Sequence, residues 1–266
     1  MCTVPPPLET ICVSGKSYLD ISKKIYSGKK GSFDLAEIKN WYQPINFLPQ
    51  SDILAQTHAG PCAIFAVIQA NILKYRKKLE TCQREKRVLL FQSICDIMSI
   101  LGDKYAFCVD IDSKKQVATM KIANSYEIAV QWLFESQYNI GGRCIMFLMF
   151  SFIYLIQKKD WFYTDNTPFI RQDKMSSMGL VWLLLTGSYS MDCTSAQSDI
   201  GVKVVANPNK ELNGTYLNPT ALVHVCHSSA HFYTIVKNSD NTVSLFNNLT
   251  RKPTPTILDN SDLISI

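Results

Sequence analysis

The stretch Gln56-Thr57-His58-Ala59-Gly60-Pro61-Cys62-Ala63 is followed at once by an apolar run with helical spacing. Apolar residues at positions 64, 65, 67, 68, 72 and 73 predict a central helix over residues 62–78. Cys62 would then open that helix, where unpaired N–H groups and the helix dipole favour a negative charge. Because the thiolate is the reactive form of a cysteine, Cys62 is a candidate nucleophile.

A nucleophilic thiol needs a general base, and the sequence offers His231 at the start of the strand-like run 231–236. A cysteine early in the chain and a histidine late in it is an arrangement found in thiol hydrolases. Two other late histidines compete for this role. His224 lies in an apolar strand and His227 in a loop, so neither is expected to be the base.

The runs 231–237 and 242–247 predict a β-hairpin with a three-residue loop at 238–240. Pairing Lys237 with Asn241 places Ile235 opposite Val243 and His231 opposite Asn247. Directly opposed side chains lie about 5 Å apart at Cβ, so Asn247 is a candidate for orienting the imidazole. A slip of one residue would bring Asn248 or Phe246 to that position instead.

Length and composition indicate a single large domain and argue against a nucleic-acid-binding or membrane-spanning protein. With 266 residues and 47% hydrophobic residues, the chain can bury a large core, and residues 1–266 are treated as a single domain. Residues 1–18 are expected to be irregular or a short strand. A net charge of +5 without a dense basic cluster argues against a nucleic-acid partner. The most apolar runs, 144–156 and 180–185, are shorter than the roughly 20 residues of a membrane span.

Nine cysteines are scattered along the chain without a Cys-x-x-Cys pair, which argues against a disulfide framework and against a zinc site. Three of them, Cys95, Cys108 and Cys144, lie in apolar surroundings and are expected to be buried thiols. The N-terminal residues lack the pattern of a signal peptide. We therefore expect an intracellular protein, cytoplasmic or nuclear.

Further elements follow from periodicity and from glycine and proline positions. Helices are predicted at 84–102, 128–135, 144–158 and 179–186, and strands at 107–112, 114–123 and 222–226.

Several segments in order resemble the MINDY deubiquitinases, and the resemblance is to the branch with the longer catalytic domain. They are the Gln56 to Cys62 block with Gln69 after it, Leu183-Leu184-Leu185-Thr186-Gly187, and His231-Phe232. The resemblance implies an α+β fold of papain-like cysteine protease architecture. In it the nucleophile sits at a helix N-terminus packed on a mostly antiparallel sheet.

The resemblance also implies a function. The chain would hydrolyse isopeptide bonds at the C-terminal glycine of ubiquitin in polyubiquitin, in chains of the lysine linkage that signals proteasomal degradation. Gln56, six residues before Cys62, would donate to the oxyanion, and His231 would be the base. Neither a metal nor a cofactor is implied, the partners are ubiquitin and polyubiquitin, and a monomer is expected.

The sequence departs from the family in two places. No acidic residue stands immediately before His231, and the hairpin ends in Phe246-Asn247-Asn248 where relatives often carry an aspartate. One alternative is therefore a ubiquitin-binding pseudoenzyme of the same fold. Another is an unrelated thiol hydrolase or acyltransferase, because a cysteine, a histidine and an amide recur on many folds.

Overall fold

The computed structural model describes residues 7–27, 35–78, 85–138, 141–189, 198–205, 214–228, 231–249 and 254–259. In these ranges the helices are α1 (Gly15–Ile25), α2 (Cys62–Lys78), α3 (Lys86–Leu101), α4 (Tyr126–Ser136), α5 (Cys144–Leu155) and α6 (Met178–Thr186). The strands are β1 (Glu9–Ser14), β2 (Asn46–Phe47), β3 (Leu54–Ala55), β4 (Tyr105–Asp112), β5 (Val117–Ala123), β6 (Ile200–Val205), β7 (Gly214–Leu217), β8 (Val223–Ser228), β9 (His231–Lys237), β10 (Thr242–Phe246) and β11 (Thr256–Asp259). Helices and mostly antiparallel strands make the fold α+β, as predicted.

Helix α2 is a central element of the hydrophobic core. Its residues 62–73 are all buried, because the helix is apolar on nearly every side. It packs against β8 and β9 on the sheet side and against α3 and α6 among the helices. The predicted limits of this helix, residues 62 and 78, are confirmed.

The larger sheet carries the late histidines. Its order is β11-β10-β9-β8-β6-β7, and only the β6–β8 pair is parallel among the pairings described. The Thr234 hydroxyl in β9 donates to the Ala66 carbonyl in α2 at 2.9 Å, which ties the sheet to the helix. This contact fixes where the start of β9 lies relative to the start of α2.

The N-terminal region is more regular than predicted. Residues 9–14 form β1, which pairs antiparallel with β5 in a sheet of order β1-β5-β4, and α1 begins at Gly15. Of the two expectations for residues 1–18, the short strand is confirmed at 9–14, whereas the helix that begins at Gly15 was not expected there. Strand β1 has one buried residue, Val13, and its other residues are exposed or half-buried.

The hairpin of β9 and β10 differs from its predicted register by two residues. Val243 lies opposite Lys237, not opposite Ile235, because the loop covers residues 239–241. The last loop residue, Asn241, has φ of 64°, a left-handed conformation that asparagine tolerates well. A shift of two residues keeps every side chain on its predicted face of the sheet.

The other predicted helices and strands are present with ends displaced by a few residues, while β2, β3, β6, β7 and β11 were not predicted. Cys95, Cys108 and Cys144 are buried free thiols, as predicted. Among the helices in the described ranges, none has both the length and the apolarity to cross a membrane.

Candidate active site

Cys62 is the first residue of α2. The carbonyl of Pro61 accepts the N–H of Ile64 at 3.0 Å and that of Phe65 at 3.3 Å, so Pro61 occupies the N-cap position. A proline has no side-chain acceptor with which to cap the helix. The free N–H groups of the first turn must therefore find partners elsewhere in the protein.

Ser176 supplies one such partner from a distant part of the chain. Its buried hydroxyl accepts from the Ala63 N–H at 3.3 Å and donates to the Gly60 carbonyl at 2.6 Å. One side chain thus holds the residues on both sides of the Pro61-Cys62 pair. Sequence analysis missed Ser176 because it is 113 residues from Ala63 and lies in no motif.

The Cys62 thiol is fully buried, with 0% of the residue exposed. Burial raises its pKa above the ordinary value, and hydrogen bonds with the Phe232 amide and the Ser176 hydroxyl partly oppose this effect. The contact with Phe232 places the sulfur beside the residue that follows His231. At neutral pH the group is therefore mainly a thiol and needs a base to react.

His231 is held by Asn247, as the sequence suggested, although through a different pairing. The imidazole Nε2 lies 2.9 Å from the Asn247 Oδ1. Continuing the observed register sets residue 247 against 233, so the contact with His231 is diagonal. The Leu249 N–H donates to the same Asn247 Oδ1 at 3.0 Å and holds that oxygen in place.

This contact selects the tautomer of the imidazole. Because Asn247 Oδ1 is an acceptor, Nε2 carries the hydrogen and Nδ1 is the basic nitrogen. Nδ1 is buried and has no hydrogen-bond partner in the described part of the chain. Burial lowers the pKa of His231, and the Asn247 contact partly opposes that shift, so the ring is neutral and able to accept a proton at neutral pH.

Gln56 lies just after β3 and is buried, with 6% exposed. Its side-chain Nε2 donates to the His58 carbonyl at 2.8 Å, and its backbone N–H donates to the Asn248 carbonyl at 2.8 Å. The described hydrogen bonds include none between the Gln56 amide and Cys62. Nε2 has a second hydrogen, which leaves one donor for an oxyanion.

Gln43 is a second residue that sequence analysis missed. It is completely buried, and its Oε1 accepts the backbone N–H groups of Thr57 and His58 at 2.9 and 3.2 Å. Its Nε2 donates to the His58 carbonyl at 2.9 Å. The loop that carries Gln56 towards Cys62 is therefore anchored on an amide side chain outside any motif.

Both competing histidines lie in β8, so the prediction that places His227 in a loop is wrong. His224 is 1% exposed and packs on Gly201 in β6, and burial lowers its pKa to about 4. His227 stacks on Phe232 with ring centroids 4.5 Å apart, and burial lowers its pKa to about 4 as well. The described hydrogen bonds join only His231, of these three, to an orienting amide side chain.

The described contacts connect the four predicted site residues only in part: His231 bonds Asn247, whereas no described contact joins Cys62 to His231 itself. Cys62 contacts the neighbour of His231, His231 contacts Asn247, and Gln56 contacts the neighbour of Asn247. Within the ranges that the structure describes, no group of three or more metal-ligating side chains is present. Comparison of the chain with family models, with curated proteins and with solved structures gives no match.

The raised pKa of the Cys62 thiol predicts slow alkylation near neutral pH. At pH 7.5 we expect iodoacetamide to modify Cys62 more slowly than the exposed Cys12, because burial both excludes the reagent from the Cys62 sulfur and raises its pKa. The Cys62 rate should rise with pH as the thiol ionises. Peptide mass spectrometry gives both rates in one sample, and faster modification of Cys62 would contradict the prediction.

Proposed function

We propose that this chain is a cysteine protease that hydrolyses the isopeptide bond at the C-terminal glycine of ubiquitin in polyubiquitin. The architecture would be that of a papain-like hydrolase, and the preferred linkage would be the one that signals proteasomal degradation. This substrate places the reaction in the cytoplasm or nucleus. The ubiquitin part of the proposal rests on the sequence motifs that resemble the MINDY deubiquitinases.

One observation carries the enzymatic part. A thiol at the N-terminus of a helix contacts the backbone amide next to a histidine, and an asparagine fixes the tautomer of that histidine. Nucleophile, base and orienting amide are the three parts that a thiol hydrolase requires. The basic nitrogen, Nδ1 of His231, is the one left unbonded by the Asn247 contact.

The reaction follows from this arrangement. His231 Nδ1 takes the proton of the Cys62 thiol as the sulfur attacks the carbonyl carbon of the substrate glycine. The Cys62 N–H stabilises the negative oxygen, together with the Gln56 side chain. The imidazolium then gives its proton to the leaving lysine amine, and water hydrolyses the thioester to release the ubiquitin carboxylate and the free thiol.

The pKa shifts define the timing of the first proton transfer. Burial raises the thiol pKa and lowers the imidazole pKa, so the resting pair is neutral rather than an ion pair. The proton therefore moves during attack, when charge develops on the substrate oxygen. The neutral Asn247 orients the imidazolium, whereas a carboxylate would also stabilise its charge.

A ubiquitin-binding pseudoenzyme is the second candidate, and the burial of Cys62 favours it. No part of Cys62 is exposed, so a substrate carbonyl reaches the sulfur only after neighbouring residues move. If they do not move when ubiquitin binds, the chain binds polyubiquitin without cutting it.

Ubiquitin with a C-terminal propargyl group decides between the two. We expect the wild-type chain to gain the mass of one ubiquitin, because the Cys62 sulfur adds to the alkyne. The Cys62→Ala variant and a propargylated ubiquitin-like modifier serve as controls and should give no adduct. Binding of ubiquitin chains without an adduct would support the pseudoenzyme, and the absence of both would end the ubiquitin proposal.

A further inference from the structure

Two buried amide side chains, Gln69 and Asn248, hold the segment that leads to Gln56. Gln69 lies in α2, two turns after Cys62, and is 0% exposed. Its Oε1 accepts the Leu54 N–H at 2.8 Å, and its Nε2 donates to the Asp52 carbonyl at 2.9 Å. These polar groups lie in the core, and the proposed reaction makes no direct use of them.

Asn248 completes this cluster from the opposite side. It is 1% exposed, and its Nδ2 donates to the Leu54 carbonyl at 2.9 Å and to the Gln69 Oε1 at 3.3 Å. The backbone carbonyl of Asn248, which every substitution at 248 keeps, accepts the Gln56 N–H at 2.8 Å. Asn248 therefore bonds the chain at Leu54 and at Gln56 and fixes the direction in which the Gln56 side chain leaves the backbone.

Because Asn248 follows Asn247 in the chain, its bond with Gln56 also connects Gln56 to the His231–Asn247 pair. Its neighbour Asn247 accepts from His231, so adjacent residues hold the base and the oxyanion donor. We propose that Asn248 is a positioning residue that couples Gln56 to the His231–Asn247 pair. This inference rests on the proposed function, and it assigns Asn248 a role that acts through Gln56 rather than through contact with substrate.

The side-chain hydrogen bonds of Asn248 require an amide. The Leu54 carbonyl and the Gln69 Oε1 are both acceptors, so the residue at 248 must donate to them. An aspartate has the same shape but would place a carboxylate oxygen against two acceptors. Asn248→Asp therefore tests the hydrogen bonds at nearly constant volume, beside Asn248→Ala, which removes the side chain.

A double-mutant cycle with a ubiquitin C-terminal amide reporter tests the proposal. We expect Asn248→Ala to lower kcat about 10- to 100-fold with a smaller change in KM, and Gln56→Ala to lower kcat about 100-fold or more. If Asn248 acts through Gln56, the double variant will be no slower than Gln56→Ala within about threefold. Multiplied losses in the double variant would overturn the proposal.

Asn238→Ala is the matched control. Asn238 also donates through its amide, to Thr242 and Ser244, but at the far end of the same hairpin. It should leave kcat within about twofold of wild type. If Asn238→Ala lowered kcat as much as Asn248→Ala, any weakening of the hairpin would be enough to lower kcat. That result would overturn the proposal. Should the alanine variant at 248 not fold, Asn248→Asp carries the same expectation.

Hydrogen exchange provides a readout that needs no ubiquitin. Asn248→Ala or Asn248→Asp should speed exchange of the Leu54 and Gln56 amides about tenfold or more relative to those of α5, and Asn238→Ala should not. Unchanged exchange at Gln56 would overturn the inference. If the wild type has no catalytic activity but Gln56 exchanges faster in the Asn248 variants, the proposed function is wrong. The coupling of Asn248 to Gln56 would still be supported.

Discussion

A His231→Ala variant will lose roughly 10³- to 10⁴-fold in kcat/KM on polyubiquitin, close to the loss of Cys62→Ala. The reason is that the buried thiol, with its raised pKa, needs a base, and the other late histidines fit that role less well: burial lowers the pKa of both His224 and His227 to about 4, and neither is held by an orienting amide among the described contacts. Because nucleophile and base act as a unit, the double variant will be no slower than either single variant.

The measurement is initial-rate cleavage of polyubiquitin at several pH values, with Asn247→Ala beside His231→Ala. We expect Asn247→Ala to retain a part of the activity, because the asparagine orients the ring but transfers no proton. In the wild type, the lowered pKa of His231 predicts an acid limb whose midpoint lies below the ordinary pKa of histidine. A His231→Ala variant with more than a tenth of wild-type activity would assign the base elsewhere.

A Gly60→Ala variant will lower the free energy of unfolding by about 3 kcal/mol, because its backbone lies in a region that side chains rarely adopt and the site has no room for a Cβ. Gly60 has φ of +125°, and a Cβ there would lie 2.5 Å from the Asn40 Nδ2 and 3.1 Å from the Lys174 carbonyl. Those neighbours are themselves hydrogen-bonded, to Ala59 and to Trp41, so they cannot simply withdraw.

Gly142→Ala is the control for the unfolding measurement. A Cβ at Gly142 meets no atom within 4 Å, so urea denaturation should show a change of less than about 0.5 kcal/mol. We expect the Gly60 variant also to lose activity, since the Gly60 carbonyl is held by Ser176 next to Cys62. A Gly60 variant as stable as the Gly142 variant would show that the Gly-Pro-Cys turn can rearrange.

The elements that carry the candidate site were the easiest to predict. Helix α2 has a glycine and a proline before it and an apolar run within it, and β9 is a short run rich in aromatic and β-branched residues, which is typical of a strand. Both were predicted with correct limits. Local signals of this kind fix where an element begins and which residues share its faces.

Features that depend on distant contacts could not be predicted. Ser176 and Gln43 act on the Cys62 turn through the folded chain, and no spacing in the sequence marks them. Strands β6 and β7 exist because they pair with β8 and with each other. The hairpin register was missed for a different reason: the conformation of Asn241, a property of one residue, moved the loop by one position.

The hydrogen bond from Thr234 to Ala66 spans 168 residues, and that from Asn248 to Leu54 spans 194. Contacts between parts of the chain so far apart form late in folding, because closing a long loop precedes any gain from the contact. During synthesis the proposed nucleophile, Cys62, emerges long before the proposed base, His231. A nascent chain that ends before residue 231 therefore has the thiol without the proton acceptor, and the proposed activity begins only when the last strands join the sheet.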